Sequence, residues 1–256
     1  MQTHLKDRFK LKKGDKIGLI TPSSPIEKKD INTAVENIIK IGFVPEYLPG
    51  IADRQGFFAG SAENRADELH HFFMKEDIKA IMAVRGGYGS FEILGAIDFE
   101  LIKKQPKPFI GYSDVTTLLS AIYHKCGFPV FHAPMALGGF SNYSEKMLKK
   151  LLSKQEQPYI IGMKNQAAEH GTICPGKSKG VLFGGNLSVL VSLLGTAYEP
   201  DYRNKILFLE EVNEPPYKVH RMLRQLEASG KLSQVRGIIL GTFEGCDNKT
   251  AKEKAE

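Results

Sequence analysis

The chain has few cysteines, and they lack the spacings that give cysteine a structural task. Its 256 residues include Cys126, Cys174 and Cys246, which are far apart and form no Cys-x-x-Cys pair. Neither a disulfide framework nor a zinc site is indicated. The polar start lacks the apolar stretch of a signal peptide, and no apolar run approaches the ~20 residues that span a bilayer. We therefore expect a protein of a reducing, cytoplasmic compartment, with no metal and no membrane partner.

A clustered basic stripe is also missing. The formal net charge is +6, yet the densest basic stretch, residues 10–16, holds only four lysines and is interrupted by Leu11, Gly14 and Asp15. Nucleic-acid binders usually concentrate their positive charge on one face, with aromatic residues interleaved. We therefore expect no nucleic-acid partner.

Short strand-like runs alternate with segments of helical periodicity through most of the chain. Residues 80–84 and 108–110 are typical buried strands, and a glycine-containing turn follows each of them. This alternation predicts an α/β fold with a doubly wound, mostly parallel sheet. We predict an N-terminal α/β domain over residues 1–140, a crossover over 141–179, and a smaller, incomplete α/β domain over 180–256.

The strand at 108–110 runs into Gly111-Tyr112-Ser113-Asp114. A strand, a tight turn with serine at its apex and an immediate helix are typical of a nucleophile elbow, which aims helix N-terminal amides at a developing oxyanion. The match to Gly-x-Ser-x-Gly is incomplete, because Val115 stands in place of the second glycine. On this tetrapeptide alone, a helix cap formed by Ser113 or Asp114 is the commoner explanation.

Two glycine-rich turns follow other predicted strands. Residues 85–89, Arg-Gly-Gly-Tyr-Gly, can present a backbone amide to an oxyanion or form a simple tight turn. They match neither a P-loop nor Gly-x-Gly-x-x-Gly. In Gly184-Gly185-Asn186, the asparagine fits a helix cap and a ligand contact about equally well.

Adjacent glutamates end a further predicted strand. Glu210 and Glu211 must point to opposite faces, so one of them can face a cleft, although such pairs are usually solvated. No histidine of the seven has a spacing that marks it as a base.

These turns occur in a fixed order with further motifs along nearly the whole chain. The motifs are Thr21-Pro22-Ser23-Ser24-Pro25, Phe58-Ala59-Gly60 with Arg65, Arg85 to Gly89, Pro108 to Thr116, His132-Ala133-Pro134-Met135, Gly184 to Leu187, and Leu209-Glu210-Glu211 with Pro216-Tyr217. The ordered set resembles the LD-carboxypeptidase family, serine peptidases that include muramoyl-tetrapeptide carboxypeptidases and microcin C immunity proteins. The resemblance favours a nucleophile over a cap at Ser113.

The resemblance implies a role for each turn. Ser113 would attack the carbonyl that joins an L-configured centre to a terminal D-alanine, while the amides of Gly87 and Asp114 hold the oxyanion. Glu210 would orient a catalytic histidine, with Glu211 as the alternative.

The remaining expectations also come from the resemblance. Arg85 and Asn186 would contact the substrate. The substrate would be a small muropeptide in cell-wall recycling, the protein a cytoplasmic homodimer, and no cofactor is implied. The alternatives are a same-family peptidase acting on peptidyl-nucleotide antibiotics and a muropeptide-binding protein that has lost catalysis.

One departure supports that last alternative. The family's histidine follows the segment that corresponds to Gly241-Thr242-Phe243-x-x-Cys246, but no histidine follows His220 here. Our hypothesis is that the sequence is a truncated form and that the histidine lies beyond Glu256.

Overall fold

Two parallel sheets form the framework of the chain, in a computed structural model that describes residues 9–153 and 171–247. The first sheet has five strands in the order β2-β1-β3-β4-β5, and the second has three in the order β6-β7-β8. The strands are β1 Lys16–Ile20, β2 Val44–Glu46, β3 Ile78–Ala83, β4 Phe109–Gly111, β5 Phe131–His132, β6 Val181–Asn186, β7 Lys205–Val212 and β8 Gly237–Glu244. Every pairing between them is parallel. The predicted parallel α/β architecture is confirmed.

Helices connect the strands. They are α1 Lys28–Lys40, α2 Ala62–Met74, α3 Phe99–Lys104, α4 Thr116–Cys126, α5 Asn142–Ser153, α6 Leu187–Ser192 and α7 Pro216–Ala228. The ends follow local chemistry: Ser61 caps α2 by accepting the Asn64 amide, and Gly127 ends α4 in the left-handed conformation with φ of 75°.

The first sheet buries both of its faces, as a doubly wound sheet must. Strand β1 sends Ile17 and Leu19 into one apolar cluster and Ile20 into the other, because side chains alternate along a strand. On the α2 side, a Cβ on Gly18 would lie 2.6 Å from the ring of Phe72, so only glycine lets the helix approach this closely. Both clusters consist mainly of buried aliphatic and aromatic side chains, and their packing fixes the strand ends that carry the site.

The second sheet packs one face on α6 and α7, through residues such as Leu187 and Leu226. It also contacts helix α4, where the hydroxyl of Tyr123 accepts a hydrogen bond from Lys205 Nζ of β7 at 2.6 Å. At the sheet's edge, Ile238, Ile239 and Leu240 of β8 are each 46–48% exposed.

Helix α5 lies within the region predicted as a crossover. It buries Leu148 and Leu152 in a cluster of the first sheet, and the carbonyl of Leu152 accepts the Leu11 amide. The domain boundaries at 140 and 179 remain a prediction. Over residues 9–153 and 171–247, no helix combines the length and apolar character needed to cross a bilayer.

Candidate active site

Ser113 occupies a strained turn between β4 and α4. Its φ is 60°, in the left-handed region that costs a non-glycine residue roughly 1–2 kcal/mol. A single 3-10 turn, Ser113–Val115, joins the strand to the helix. The valine that departs from Gly-x-Ser-x-Gly is fully buried, and a Cβ at Gly111 would lie 2.5 Å from its Cγ1. Gly111, two residues before the serine, therefore leaves room for the side chain of Val115, two residues after it.

The glycine loop after β3 lies directly against this turn. A Cβ on Gly86 would lie 3.1 Å from the Cβ of Ser113, tighter than ordinary contact. Gly87 follows with φ of 117°, and a Cβ there would collide with Ser24 Oγ. In the described ranges, no acceptor bonds to the amide of Gly87. The loop therefore brings an available backbone donor to the region of the serine.

Buried hydrogen bonds hold the loop to the serine turn. Asp114 Oδ2 accepts the Ser90 amide at 2.9 Å, and the hydroxyls of Ser90 and Ser23 bond at 2.8 Å. Arg65, also buried, donates from Nη1 to the carbonyl of Gly89 at 2.8 Å. The position of the loop thus depends on the carboxylate next to the serine.

The two glutamates of β7 are both buried, at 8% exposure for Glu210 and 2% for Glu211. The expectation that such a pair is solvated is wrong for this chain. Glu211 accepts Asn186 Nδ2 and the Ser188 amide, each at 2.8 Å. A register shift between β7 and β8 at residues 209–211 accompanies this arrangement.

Glu210 points into the cleft, and its Oε1 is buried without a hydrogen-bond partner in the part of the chain that the structure describes. Burial raises the pKa of Glu210 and the neighbouring charge of Glu211 raises it further, while the Asn186 side chain opposes both. A donor that reached Oε1 would favour the charged form.

Asn186 serves a structural role at the cleft wall. Its Oδ1 accepts the Val189 amide and caps α6, as its sequence position suggested, and its Nδ2 is engaged by Glu211. The residue also lines the cleft.

The cleft itself has a volume of about 480 Å³ and draws on both sheets. The structure brings together five of the predicted site residues there: Ser113, Gly87, Arg85, Asn186 and Glu210. The side chain of the sixth, Asp114, turns inward, which leaves only its backbone for the predicted role.

Sequence reasoning missed the contributions of Tyr112 and Glu244 to the cleft lining. No local signal marks Glu244, because it reaches the cleft through the register of β8, where it pairs with Val212 at the end of β7. Parallel strands end at the same edge of a sheet, so acidic residues at their ends approach one another.

None of the five histidines in residues 9–153 and 171–247 lines the cleft. His132 ends β5, where it pairs with Gly111 of β4, and its ring centroid lies 6.1 Å from that of the cleft residue Tyr112 and 5.4 Å from that of Phe208. Desolvation by the surrounding protein lowers the pKa of His132 to about 4. The ring is therefore neutral at pH 7.

Among the described residues, no three His, Cys, Asp or Glu side chains are placed to hold a metal ion.

Together these features define an α/β protein whose cleft lies at the carboxyl ends of parallel strands, with a serine on a strained strand-to-helix turn. The chain belongs to the LD-carboxypeptidase family. The family's N-terminal domain matches residues 17–133, and its C-terminal domain matches residues 179–256.

Named relatives agree with this assignment. The chain is 37% identical to the probable murein peptide carboxypeptidase of Bacillus subtilis over 241 residues, which cover 92% of this chain and 74% of that protein. It is 33% identical to the murein tetrapeptide carboxypeptidase of Pseudomonas aeruginosa over 253 residues, covering 94% and 80% respectively. The structure of MccF in complex with glutamyl sulfamoyl guanosine superposes with a TM-score of 0.82 at 26% identity, covering 95% of this chain and 82% of that one.

Proposed function

We propose that the cleft is the active site of a cytoplasmic serine L,D-carboxypeptidase that releases the terminal D-alanine of muropeptide tetrapeptides. The observation that carries the proposal is the left-handed φ of 60° at Ser113, on a turn that opens into the cleft. Strain of this kind persists where the surroundings enforce it, and it clusters at active sites. A helix cap needs no such conformation, since cap residues take extended backbone angles.

The other cleft residues have matching roles in this proposal. The Gly87 amide, which has no acceptor in the described ranges, donates to the oxyanion together with the Asp114 amide. Arg85 is exposed at the cleft and supplies a positive charge for the D-alanine carboxylate. Glu210 orients a histidine base through its unpartnered Oε1. We place that histidine outside the described residues, as the family resemblance implies.

A second substrate class has one observation in its favour. The ring of Tyr112 is 37% exposed and lines the cleft. An exposed aromatic face can stack on a nucleobase. The same site would then cleave a peptidyl-nucleotide, the ligand class suggested by the MccF complex.

The test is the release of D-alanine from a purified muramoyl-tetrapeptide, followed by mass spectrometry. In a protein that includes the catalytic histidine, we expect release that disappears in Ser113→Ala, while Ser192→Ala, at an exposed helical serine, keeps the parent rate. A peptidyl-adenylate analogue incubated in parallel distinguishes the two substrate classes.

A fluorophosphonate probe adds an assay that does not depend on substrate choice. Labelling of Ser113 without D-alanine release would show an activated serine that needs another substrate, whereas neither labelling nor release would favour the non-catalytic binding protein. Release that survives Ser113→Ala would contradict the proposal.

A further inference from the structure

A second cavity of about 410 Å³ lies between the end of β1, the 3-10 turn Pro49–Ala52 and helix α2, and it shares no lining residue with the cleft. We propose that this cavity binds a small organic cation, a primary amine on a short apolar chain. The proposal is independent of the reaction assigned to the cleft.

The carboxyl group of Glu68 forms part of the cavity wall. Its side chain is 8% exposed, and Oε2 accepts the Thr21 amide at 3.0 Å. No donor in the described ranges bonds to Oε1, which keeps an accessible surface beside the cavity. A buried carboxylate with one open oxygen favours a ligand that donates a hydrogen bond and carries positive charge.

A second carboxylate faces the same space. Asp53 lines the cavity, and its Oδ2 would lie 2.9 Å from a Cβ on Gly50, so it points along the turn that forms the wall. Burial raises the pKa of Glu68 to about 7, and the charge of Asp53 adds to the increase. In the described residues no lysine or arginine forms an ion pair with either group. A bound ammonium group would relieve their repulsion.

The charge balance of the cavity disfavours an anionic ligand. Its walls carry three carboxylates, Asp53, Asp67 and Glu68, against one arginine, Arg65, and one histidine, His71, in a chain whose net charge is +6. Arg65 directs Nη1 away to the carbonyls of Pro22 and Gly89. The cavity is therefore a negative site on a positive protein.

The remaining lining favours an organic ligand over a metal ion. Leu48, Pro49 and Ala59 supply apolar surface next to the carboxylates. Within the described ranges, no three side chains of the metal-binding types converge on one point. A cation that combines one ammonium group with a short alkyl chain matches both surfaces.

The test is a titration of the protein with n-butylammonium chloride, followed by amide NMR. 1-Butanol serves as the uncharged probe of similar shape, and sodium chloride controls for ionic strength. Saturable shifts of the Thr21 and Gly50 amides are expected with the amine alone. Glu68→Gln should weaken the affinity about tenfold, the loss of one charge-assisted hydrogen bond, and Asp53→Asn should weaken it as well. Ser113→Ala should bind as the parent does.

Each alternative outcome decides against the proposal. No saturable shift with the amine, or equal shifts with 1-butanol, would mean that the cavity does not recognise charge. Unchanged amine affinity in both carboxylate variants would place the ligand elsewhere. Asp53→Asn, a change at the cavity wall, keeps the test usable if Glu68→Gln does not fold.

Discussion

Replacing Ser113 by glycine should stabilise the protein relative to replacing it by alanine, although both changes remove the proposed nucleophile. The reason is the left-handed backbone, with φ of 60°. A Cβ in this region costs roughly 1–2 kcal/mol, whereas glycine adopts it freely but loses about 0.5–1 kcal/mol more backbone entropy on folding. The difference leaves Ser113→Gly more stable than Ser113→Ala by about 0.5–1 kcal/mol.

The control is a helical position, where the alanine variant is expected to be more stable than the glycine variant. Glu36 is exposed in the middle of α1, where glycine is less stable than alanine by roughly 1 kcal/mol. Thermal unfolding of the four variants should therefore give differences of opposite sign at the two positions. A free-energy difference of this size shifts the melting temperature by about 1–4 °C in a chain of this length.

A glycine–alanine difference of the same sign at both positions would refute the reasoning. If glycine lowers the melting temperature relative to alanine at Ser113 as it does at Glu36, the serine does not sit in a strained turn. The structural argument for its role as a nucleophile would then fail. Because the assay measures folding alone, it is informative even where the chain has no turnover.

Three further changes test the surroundings of the site. Asp114→Ala leaves the buried Ser90 amide without its acceptor and should cost about 1–3 kcal/mol in urea unfolding, while Asp114→Asn keeps an acceptor and should cost less. Gly185→Ala should lower stability by more than an ordinary surface change, because the new Cβ would lie 2.7 Å from Thr116 Cγ2, with φ of 150°; a loss under about 0.5 kcal/mol would contradict this. The folded pKa of Glu68, about 7, exceeds its unfolded value of 4.5. Between these two pH values the folded state binds more protons than the unfolded state, so stability falls as pH rises. That loss amounts to about 3 kcal/mol by pH 7 and above, and Glu68→Gln should flatten the profile measured from about pH 4 to 8.

Much of the fold could be predicted because its signals are local. The alternation of strands and helices, the cap at Ser61 and the left-handed stop at Gly127 each depend on a few neighbouring residues. The turn at Ser113 and the glycine loop after β3 were recognisable for the same reason, as short motifs that follow strands.

The features that sequence reasoning missed depend on distant partners. Glu211 is buried because Asn186 and Ser188 donate to it, and neither contact follows from two adjacent glutamates in a strand. Glu244 joins the cleft only through the pairing of β8 with β7. The cavity beside Glu68 is built by three separate elements, so no single segment carries its signal.

Two departures from local rules meet in the cleft, although further buried oxygens without a partner lie elsewhere in the described residues, on Ser120 and Tyr202. Ser113 holds a left-handed backbone, and Glu210 keeps a buried oxygen without a donor among the described residues, which costs roughly 1–3 kcal/mol. Both residues line the same cleft, although they come from different sheets and lie far apart in the chain. Folding alone gives no reason for these two unfavourable groups to lie together, since another residue at either position would avoid the cost. Such a coincidence is expected where a site is held ready for chemistry, because local conflict concentrates at functional residues.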